Sequence, residues 1–452
     1  MLTHMSMSMP QSMSRRGFLS KSSALLAAAV APTIIPASAL GRGGLVPPSE
    51  RINMGFIGVG GQGGGHLLGH AWTYVPGGYV ARKDVQVLAV CDVRKERRDF
   101  AQKRANELYA DKLGKPGFDG VNAYNDFREV LARLDIDAVL IALPYHWAAP
   151  MAIRAMRAGK DVYCEKPVAI TVREGREVIE TARRHSRVYQ AGMQQRSEYG
   201  GKFRLACEMV RSGRIGTLKE VFAYRQPGAF YPRPWTSTNT QPLPDGLDWD
   251  LWLGPLPWRP YGGETGHALS GCFIGDVNWA PHHYDIIQWT VNPDVTAPIE
   301  VEYENQGSSP ETAVIHYHYA NGVVVHSTAY PGENVGNEGG ACFVGTKGRI
   351  AVDRNGIVSH PGTILNDPLR SGDAHVYHAN SHSGNFLECI RTRRQTICHP
   401  ETAVYTMNAI FIGGISMALQ RSVKWDPAKL EFPGDEAANR LRSYTPRPPW
   451  IL

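Results

Sequence analysis

Ile52-Asn53-Met54-Gly55-Phe56-Ile57-Gly58-Val59-Gly60-Gly61-Gln62-Gly63 is the stretch whose reading decides the fold. Six residues of strand-like, apolar character run straight into a G-x-G-x-x-G turn, and a short helical segment follows. In such a turn Gly58 permits the tight bend, Gly60 lets a pyrophosphate approach the backbone, and Gly63 allows helix and strand to pack closely. Gly61 and Gln62 complete the phosphate-facing loop. The same alternation continues downstream. Segments 85–91, 138–142, 161–164 and 188–191 read as strands, and 95–108, 127–134, 150–158 and 172–184 read as helices. Strand–helix alternation on that spacing implies right-handed crossovers and a parallel sheet. The sequence therefore predicts an α/β protein with a Rossmann dinucleotide-binding domain over 51–195.

The second strand ends at Asp92, where a carboxylate can accept both hydroxyls of an adenosine ribose. A 2′-phosphate there would meet a negative charge, so NAD is favoured over NADP, with Arg94 near enough to bear on the choice. The gap from the glycines to Asp92 is longer than usual, and 71–84 reads as an inserted loop. Glu165-Lys166-Pro167 follows the strand 161–164. Ligands of an open α/β sheet bind outside the carboxyl ends of its strands, so Lys166 falls beside the nicotinamide, where its charge can assist proton transfer. A third group is Asn278-Trp279-Ala280-Pro281-His282-His283-Tyr284-Asp285. On a helix His282 and Asp285 share one face, which suits a proton shuttle at His282 with Asp285 holding its tautomer. Capping or packing at a helix start is the other reading of these residues.

The rest of the chain sets the context. Ser14-Arg15-Arg16-Gly17-Phe18-Leu19, an apolar run over 24–35 and Ala37-Ser38-Ala39 read as a twin-arginine signal peptide over 1–39. A linker at 40–50 follows. The expected consequences are export to the periplasm, engagement of the twin-arginine machinery, and no integral membrane segment, since the run is short and broken by proline. A net charge of +6 spread over 452 residues argues against a nucleic-acid partner. The seven cysteines show no C-x-x-C spacing and read as buried thiols. After 195 the pattern changes to an α+β domain over 196–452. It holds a strand at 218–225, an aromatic, Pro-rich stretch at 226–260, a hairpin at 313–327 turning on Asn321-Gly322, strands at 341–344 and 349–352, and helices at 385–392 and 403–419. Its sheet is expected to be open and mostly antiparallel. His316 with His318, and His375, His378 and His382, lack ligand-spaced partners, so no metal is expected.

On these motifs the chain resembles the Gfo/Idh/MocA oxidoreductases, the family of glucose–fructose oxidoreductase and the inositol dehydrogenases. The likeness rests on Gly58, Gly60 and Gly63, on 126–142, Pro144 and His146, and on 158–162 running into Glu165-Lys166-Pro167. It continues through Gln195-Arg196, 213–216, the Asp248–Pro255 motif (DWDLWLGP) and the segment from His282 to Asp285. The resemblance implies a nicotinamide cofactor held also by Pro144, His146 and Glu165, with substrate contacts from Lys166, Gln195, Arg196, His282 and His283, and export in folded form implies that the cofactor is tightly bound. It further implies an acid/base at His282 and a homodimer or homotetramer. Asn278 stands where the family usually has Asp, and an amide cannot take a proton. The expected activity is oxidation of a hydroxyl on a sugar, sugar acid or cyclic polyol, with the aromatic residues between Phe230 and Trp258 available to stack on sugar faces or to pack in a core. Two other readings remain: a glycosidase or lyase that works by transient oxidation and elimination, and a sugar- or cofactor-binding protein without catalysis.

Overall fold

Segments rich in Val, Ile and Ala that are apolar on both sides belong in the middle of a covered sheet. In the computed structural model β1 (Ile52–Ile57), β2 (Val85–Cys91), β3 (Asn122–Tyr124), β4 (Ala138–Ile141), β5 (Asp161–Glu165) and β6 (Tyr189–Gly192) form one sheet, ordered β3-β2-β1-β4-β5-β6. Every pairing in it is parallel. β4, β5 and β6 are buried at every position. Helices α1 (Gly61–Leu68), α2 (Gly78–Ala81), α3 (Lys95–Leu113), α4 (Phe127–Ala132), α5 (Ala148–Arg157) and α6 (Val172–Arg184) lie in the connections. Asp126 caps α4 through the Arg128 amide, and Thr171 caps α6 through the Glu174 amide. The structure describes residues 46–47, 50–224, 232, 240–263, 272–291, 297–307 and 309–451. The expected signal peptide, most of the linker, and Phe230 lie outside the described residues.

Two departures from the sequence reading stand out in this half. β3 was not anticipated: three partly exposed residues are too few to show a period. The stretch 71–84 is not simply a loop. It holds a 3₁₀ turn (Ala71–Thr73) and α2, whose Tyr79 and Val80 are buried, with Tyr79 packed edge-on against Phe56 at 5.6 Å.

The second sheet has eight strands: β7 (Leu218–Phe222), β8 (Glu300–Glu304), β9 (Val314–His318), β10 (Val324–His326), β11 (Ala341–Gly345), β12 (Gly348–Val352), β13 (Ile357–His360) and β14 (Val423–Lys424). Their order is β13-β12-β11-β7-β10-β9-β8-β14. β10 pairs with β7 in parallel, and the other pairings are antiparallel. The expected hairpin is β9–β10, with His318 opposite Val324. This half also carries α7 (Lys202–Arg211), α8 (Trp249–Leu253), α9 (Ala280–Val291), α10 (His382–Thr392), α11 (Pro400–Leu419) and α12 (Glu436–Arg440). α7, α9 and α11 pack against this sheet.

By length and composition α11 qualifies as a membrane span, contrary to the reading that no segment after the leader does. However, 78% of its apolar window is buried inside the fold, as for a core helix. On β9, Ile315 and Tyr317 face inward, while His316 and His318 face outward and pair with Glu304 and Glu302 at 2.8 and 3.0 Å. His382 is buried, accepted by the Ala191 carbonyl at 2.9 Å, with burial holding its pKa down to about 4. Among the described residues no group of three or more His, Cys, Asp or Glu is arranged to hold a metal ion. All seven cysteines are free, and all but Cys272 are buried.

Candidate active site

The order of the parallel sheet reverses between β1 and β4, and a crevice opens where their carboxyl ends part. A cavity of about 510 Å³ fills it. Gly58 makes it possible. Its φ is +85°, and a Cβ there would lie 2.3 Å from the Ala142 carbonyl oxygen. Gly63 is equally constrained, since a Cβ would sit 1.8 Å from the Gly58 oxygen. These two contacts bring the first turn of α1 against β1 and the loop after β4, so its amides face the cavity. A Cβ on Gly61 would meet nothing, which leaves room for a phosphate. Arg97, which the sequence reading did not single out, lies over Gly60 and lines the same end.

Asp92 follows β2 and is buried. It accepts the Val59 amide at 3.0 Å and the Arg94 amide at 2.9 Å, one on each oxygen. Burial raises its pKa, opposed by those two amides and by Arg97 and Arg94. Two bonds fix the carboxylate while leaving lone pairs for a diol. Glycine loop, helix terminus and fixed acid together fit the phosphates and ribose of a dinucleotide.

The Trp-rich motif lies beside this adenosine end. The Asp248 amide donates to the Val93 carbonyl at 3.0 Å, and Leu247 bridges to Arg94. α8 then places Leu251 and Trp252 in the cavity wall with Trp147. The Trp147 indole donates to the Leu251 and Trp252 carbonyls at 2.9 and 3.1 Å, and Trp450 buttresses its ring at 5.0 Å. The described part of the aromatic stretch therefore shapes the nucleotide end. Trp249 stacks on Trp252 at 4.7 Å within a buried cluster. Trp258 is exposed and does not line the cavity.

At the opposite end sit Glu165, Lys166 and His282. Glu165 Oε1 accepts from His66 at 2.7 Å, Gln194 at 2.8 Å and Gln62 at 3.1 Å. Burial would raise its pKa, but the bonds from His66 and Gln62 and the charges of His66 and Lys166 outweigh it and hold the carboxyl ionised. Gln62 thus ties the glycine loop to the Glu165-Lys166 turn. Lys166 Nζ donates to the Asn278 carbonyl at 2.8 Å and to Asn278 Oδ1 at 3.1 Å. Burial lowers its pKa, with Arg354 adding to the effect while Glu165 and Asp276 oppose it. Asn278 Oδ1 also accepts the Tyr145 hydroxyl at 3.0 Å. The amide is therefore a shared acceptor for two donors. Asp276 does not substitute for it as a proton acceptor, because its oxygens take the amides of Asn278, Trp279 and Ala280 at the start of α9.

His282 lines the cavity with Nδ1 unpartnered. Burial first, then the charges of Lys166, Arg354 and His283, hold its pKa well below the ordinary value, so the imidazole is neutral at pH 7. The expected Asp285–His282 pair does not form. Asp285 is gripped by Arg196 Nε and Nη2, both at 2.8 Å, and the pair is buried. That ion pair also takes Arg196 away from the substrate role assigned to it. His283 is likewise turned inward, with Nδ1 2.6 Å from the Gly340 carbonyl and burial holding its pKa down to about 4. His146 faces the Trp252 carbonyl at 2.9 Å and is fully buried, so it supports α8 and does not line the cavity; Pro144 does line it. Gln195 is one layer back, donating to the His282 carbonyl at 3.0 Å.

Tyr145, Trp72, Tyr199 and Arg354 line the cavity and were missed. Tyr145 lies between two residues that were chosen, just past the end of β4, and the switch-point rule reaches it. Trp72 was hidden in the supposed loop. Nothing in the local sequence marks Arg354, which arrives from the turn after β12.

A family model described as the NAD-binding Rossmann fold of an oxidoreductase family matches residues 52–193. The model for that family's C-terminal alpha/beta domain matches 207–452. An alpha-N-acetylgalactosaminidase of Shewanella oneidensis is 33% identical over 218 residues, 45% of this chain and 44% of that protein. A glycosyl hydrolase family 109 protein of Shewanella baltica is 32% identical over 218 residues, with the same coverage of 45% and 44%. The chain thus aligns with less than half the length of these curated relatives. Among solved structures, the aldose-aldose oxidoreductase of Caulobacter crescentus, complexed with glycerol, superposes with a TM-score of 0.54 at 17% identity, covering 83% of this chain and 99% of that one. The WlbA dehydrogenase of Bordetella pertussis, in complex with NADH and UDP-GlcNAcA, gives 0.55 at 16%, covering 83% and 98%. Likeness at this identity speaks for the fold alone. The two family models take up nearly everything from β1 onward, and the chain belongs to the Gfo/Idh/MocA oxidoreductase family.

Proposed function

We propose that this protein is an NAD(H)-dependent oxidoreductase acting on a hydroxyl of a sugar, a sugar acid or a cyclic polyol. The observation that carries the reading is that a neutral His282, its Nδ1 without a hydrogen-bond partner, lines one end of a dinucleotide cavity together with Lys166. Gly58 to Gly63 and Asp92 would hold the phosphates and the adenosine ribose, with Glu165 and Lys166 beside the nicotinamide. When bound, the nicotinamide supplies a hydride acceptor at C4. The protein's own part is proton transfer. Lys166 spends two of its three donors on Asn278 and keeps one for the substrate oxygen. The His282 imidazole takes the hydroxyl proton as the carbinol C–H gives up its hydride, and returns it in the reverse direction. Asp92 favours NAD over NADP.

A second reading is favoured by the relatives named as glycosidases. The same constellation could start an elimination: transient oxidation would acidify a neighbouring C–H, the aglycone would be expelled with its bonding electron pair and take up a proton, water would add to the resulting double bond, and the hydride would be returned. Incubating purified protein with free sugars, polyols and aryl glycosides separates the two. Nicotinamide reduction or carbinol hydrogen exchange without aglycone release fits the first, and release without net reduction fits the second. A protein that binds sugar or nucleotide and turns over neither is a non-catalytic carrier.

The leader motif supports twin-arginine export to the periplasm, and the family resemblance supports a homodimer or homotetramer. An exported enzyme finds no useful pool of free NAD, so the nucleotide must travel inside it and be regenerated there. Gel filtration of protein purified without added nucleotide, then denaturation and quantitation, should therefore release close to stoichiometric NAD(H). Nucleotide-free protein, or NADP(H) in its place, refutes this.

Asn278→Asp offers a pH test. A carboxylate about 3 Å from Lys166 Nζ would favour the ammonium form, raising the lysine pKa from its depressed state. The alkaline limb of turnover, where Lys166 loses its proton, should move up by about one pH unit or more. An unmoved profile would place Asn278 outside the reacting groups.

A further inference from the structure

Arg354 is a cation held in place with no carboxylate paired to it among the described residues. It follows β12 and lines the cavity at the Lys166–His282 end. Its Nε donates to Gln195 Oε1 at 2.9 Å. Gln195 cannot flip, because its Nε2 is committed to the His282 and Gly339 carbonyls at 3.0 and 2.5 Å. The guanidinium lies over the Trp279 ring at 4.7 Å and the Tyr199 ring at 5.4 Å. Gly339 makes the arrangement possible: its φ is +77°, and a Cβ would lie 2.5 Å from Gln195 Oε1 and 3.1 Å from Arg354 Nε.

Among the described residues no carboxylate forms an ion pair with Arg354. The adjacent Asp353 is buried and spent on the amides of Gly336, Glu338, Asn355 and Gly356. The two carboxylates in the cavity wall hold other groups, and neither pairs with Arg354. Asp92 lies at the adenosine end, and Glu165 Oε1 is saturated by His66, Gln62 and Gln194. Lys166 and Arg354 both act on His282 as positive charges, while Glu165 and Asp276 face Lys166 and not Arg354. With Nε occupied, the two Nη groups remain as a planar fork, the geometry that binds a carboxylate through two parallel bonds.

We propose that Arg354 is a specificity residue that selects a sugar bearing a carboxylate, a uronic or aldonic acid, and pairs with that group while Lys166 and His282 address a hydroxyl. Trp72, which lines the same cavity, is exposed and stacked on His70 at 4.9 Å, and offers a flat apolar surface to the sugar ring. This rests on the oxidoreductase reading above and narrows its substrate class.

The test compares matched sugars: glucose with glucuronate, galactose with galacturonate, and glucose 6-phosphate as an anion of different shape. Two readouts are taken on the nucleotide-loaded protein, equilibrium binding by calorimetry and carbinol hydrogen exchange. The uronates are expected to bind about 10- to 100-fold more tightly than their neutral partners, the range of a charge-assisted hydrogen-bonded pair. In Arg354→Gln the ratio of acid to neutral affinity should collapse toward one. Arg354→Lys should keep part of it, since the charge stays and the fork is lost. Equal or better binding of neutral sugars, preference for the phosphate, or a ratio unchanged in Arg354→Gln each overturns the assignment. If neutral sugars exchange and acids do not, only the Arg354 proposal falls. If no sugar exchanges and no nucleotide is retained, the oxidoreductase reading falls with it.

Discussion

Lys166→Ala and His282→Ala should each lower turnover by about two orders of magnitude or more, with nucleotide still bound, since positioned acid–base groups typically contribute that much. Both variants act on groups that line the cavity, and the cofactor cradle of Gly58, Gly63 and Asp92 is independent of either side chain. The two losses should differ in character. Lys166→Ala removes the donor to the substrate oxygen and leaves Asn278 Oδ1 with the Tyr145 hydroxyl as its donor, so affinity for substrate should weaken along with turnover. His282→Ala removes a neutral base, so the loss should fall mainly on the chemical step. Because the His282 pKa is held well below its ordinary value, wild-type turnover should show no acid limb from this residue near neutral pH. Retained nucleotide with near-normal turnover in either variant would remove that residue from the mechanism.

The parts of this molecule legible in the sequence are those where one residue type is the only physical solution. Gly58 and Gly63 must be glycine because backbone atoms occupy the space of a side chain. That necessity leaves a pattern, and the pattern fixes the Rossmann half and its switch point. The hairpin β9–β10 was equally legible, since Asn321-Gly322 and alternating Ile315 and Tyr317 specify both turn and face. What the sequence hid were partnerships. His282 and Asp285 do lie on neighbouring turns of α9, but nothing in their spacing says that Arg196, beyond β6, reaches Asp285 first. Arg354 is hidden for the same reason. Its environment is assembled from Gln195 and Tyr199, Trp279, and Gly339, three separate places in the chain. The aromatics of the Trp-rich motif were visible at once, but composition records stacking surfaces without recording what they face, and the described Trp249 and Trp252 stack on each other beside the nucleotide end.

Asp285 separates the two accounts of α9 most sharply. Its carboxylate carries a bidentate bond from Arg196, both partners almost wholly buried at 1% and 6% exposure, with Thr406 Oγ1 at 3.4 Å and the Arg196 guanidinium 4.9 Å over the Trp289 ring. The pair joins the segment after β6 to α9, with α11 behind it, so it pins the helix that carries His282 against the Rossmann half. Asp285→Ala leaves the Arg196 charge buried without a partner, which typically costs about 3–5 kcal/mol. Denaturant unfolding should therefore show a much lower midpoint, and nucleotide or substrate analogue should restore part of it by binding the folded form. The double replacement Arg196→Met with Asp285→Leu removes both charges and keeps the volume, so most of the lost stability should return. If Asp285 instead held the tautomer of His282, the single variant would unfold normally and lose turnover alone, and the double variant would be no better than the single one. A normal midpoint in Asp285→Ala would show that the Arg196 pair contributes little, whereas a large drop rescued by the double replacement assigns Asp285 to the architecture that positions His282.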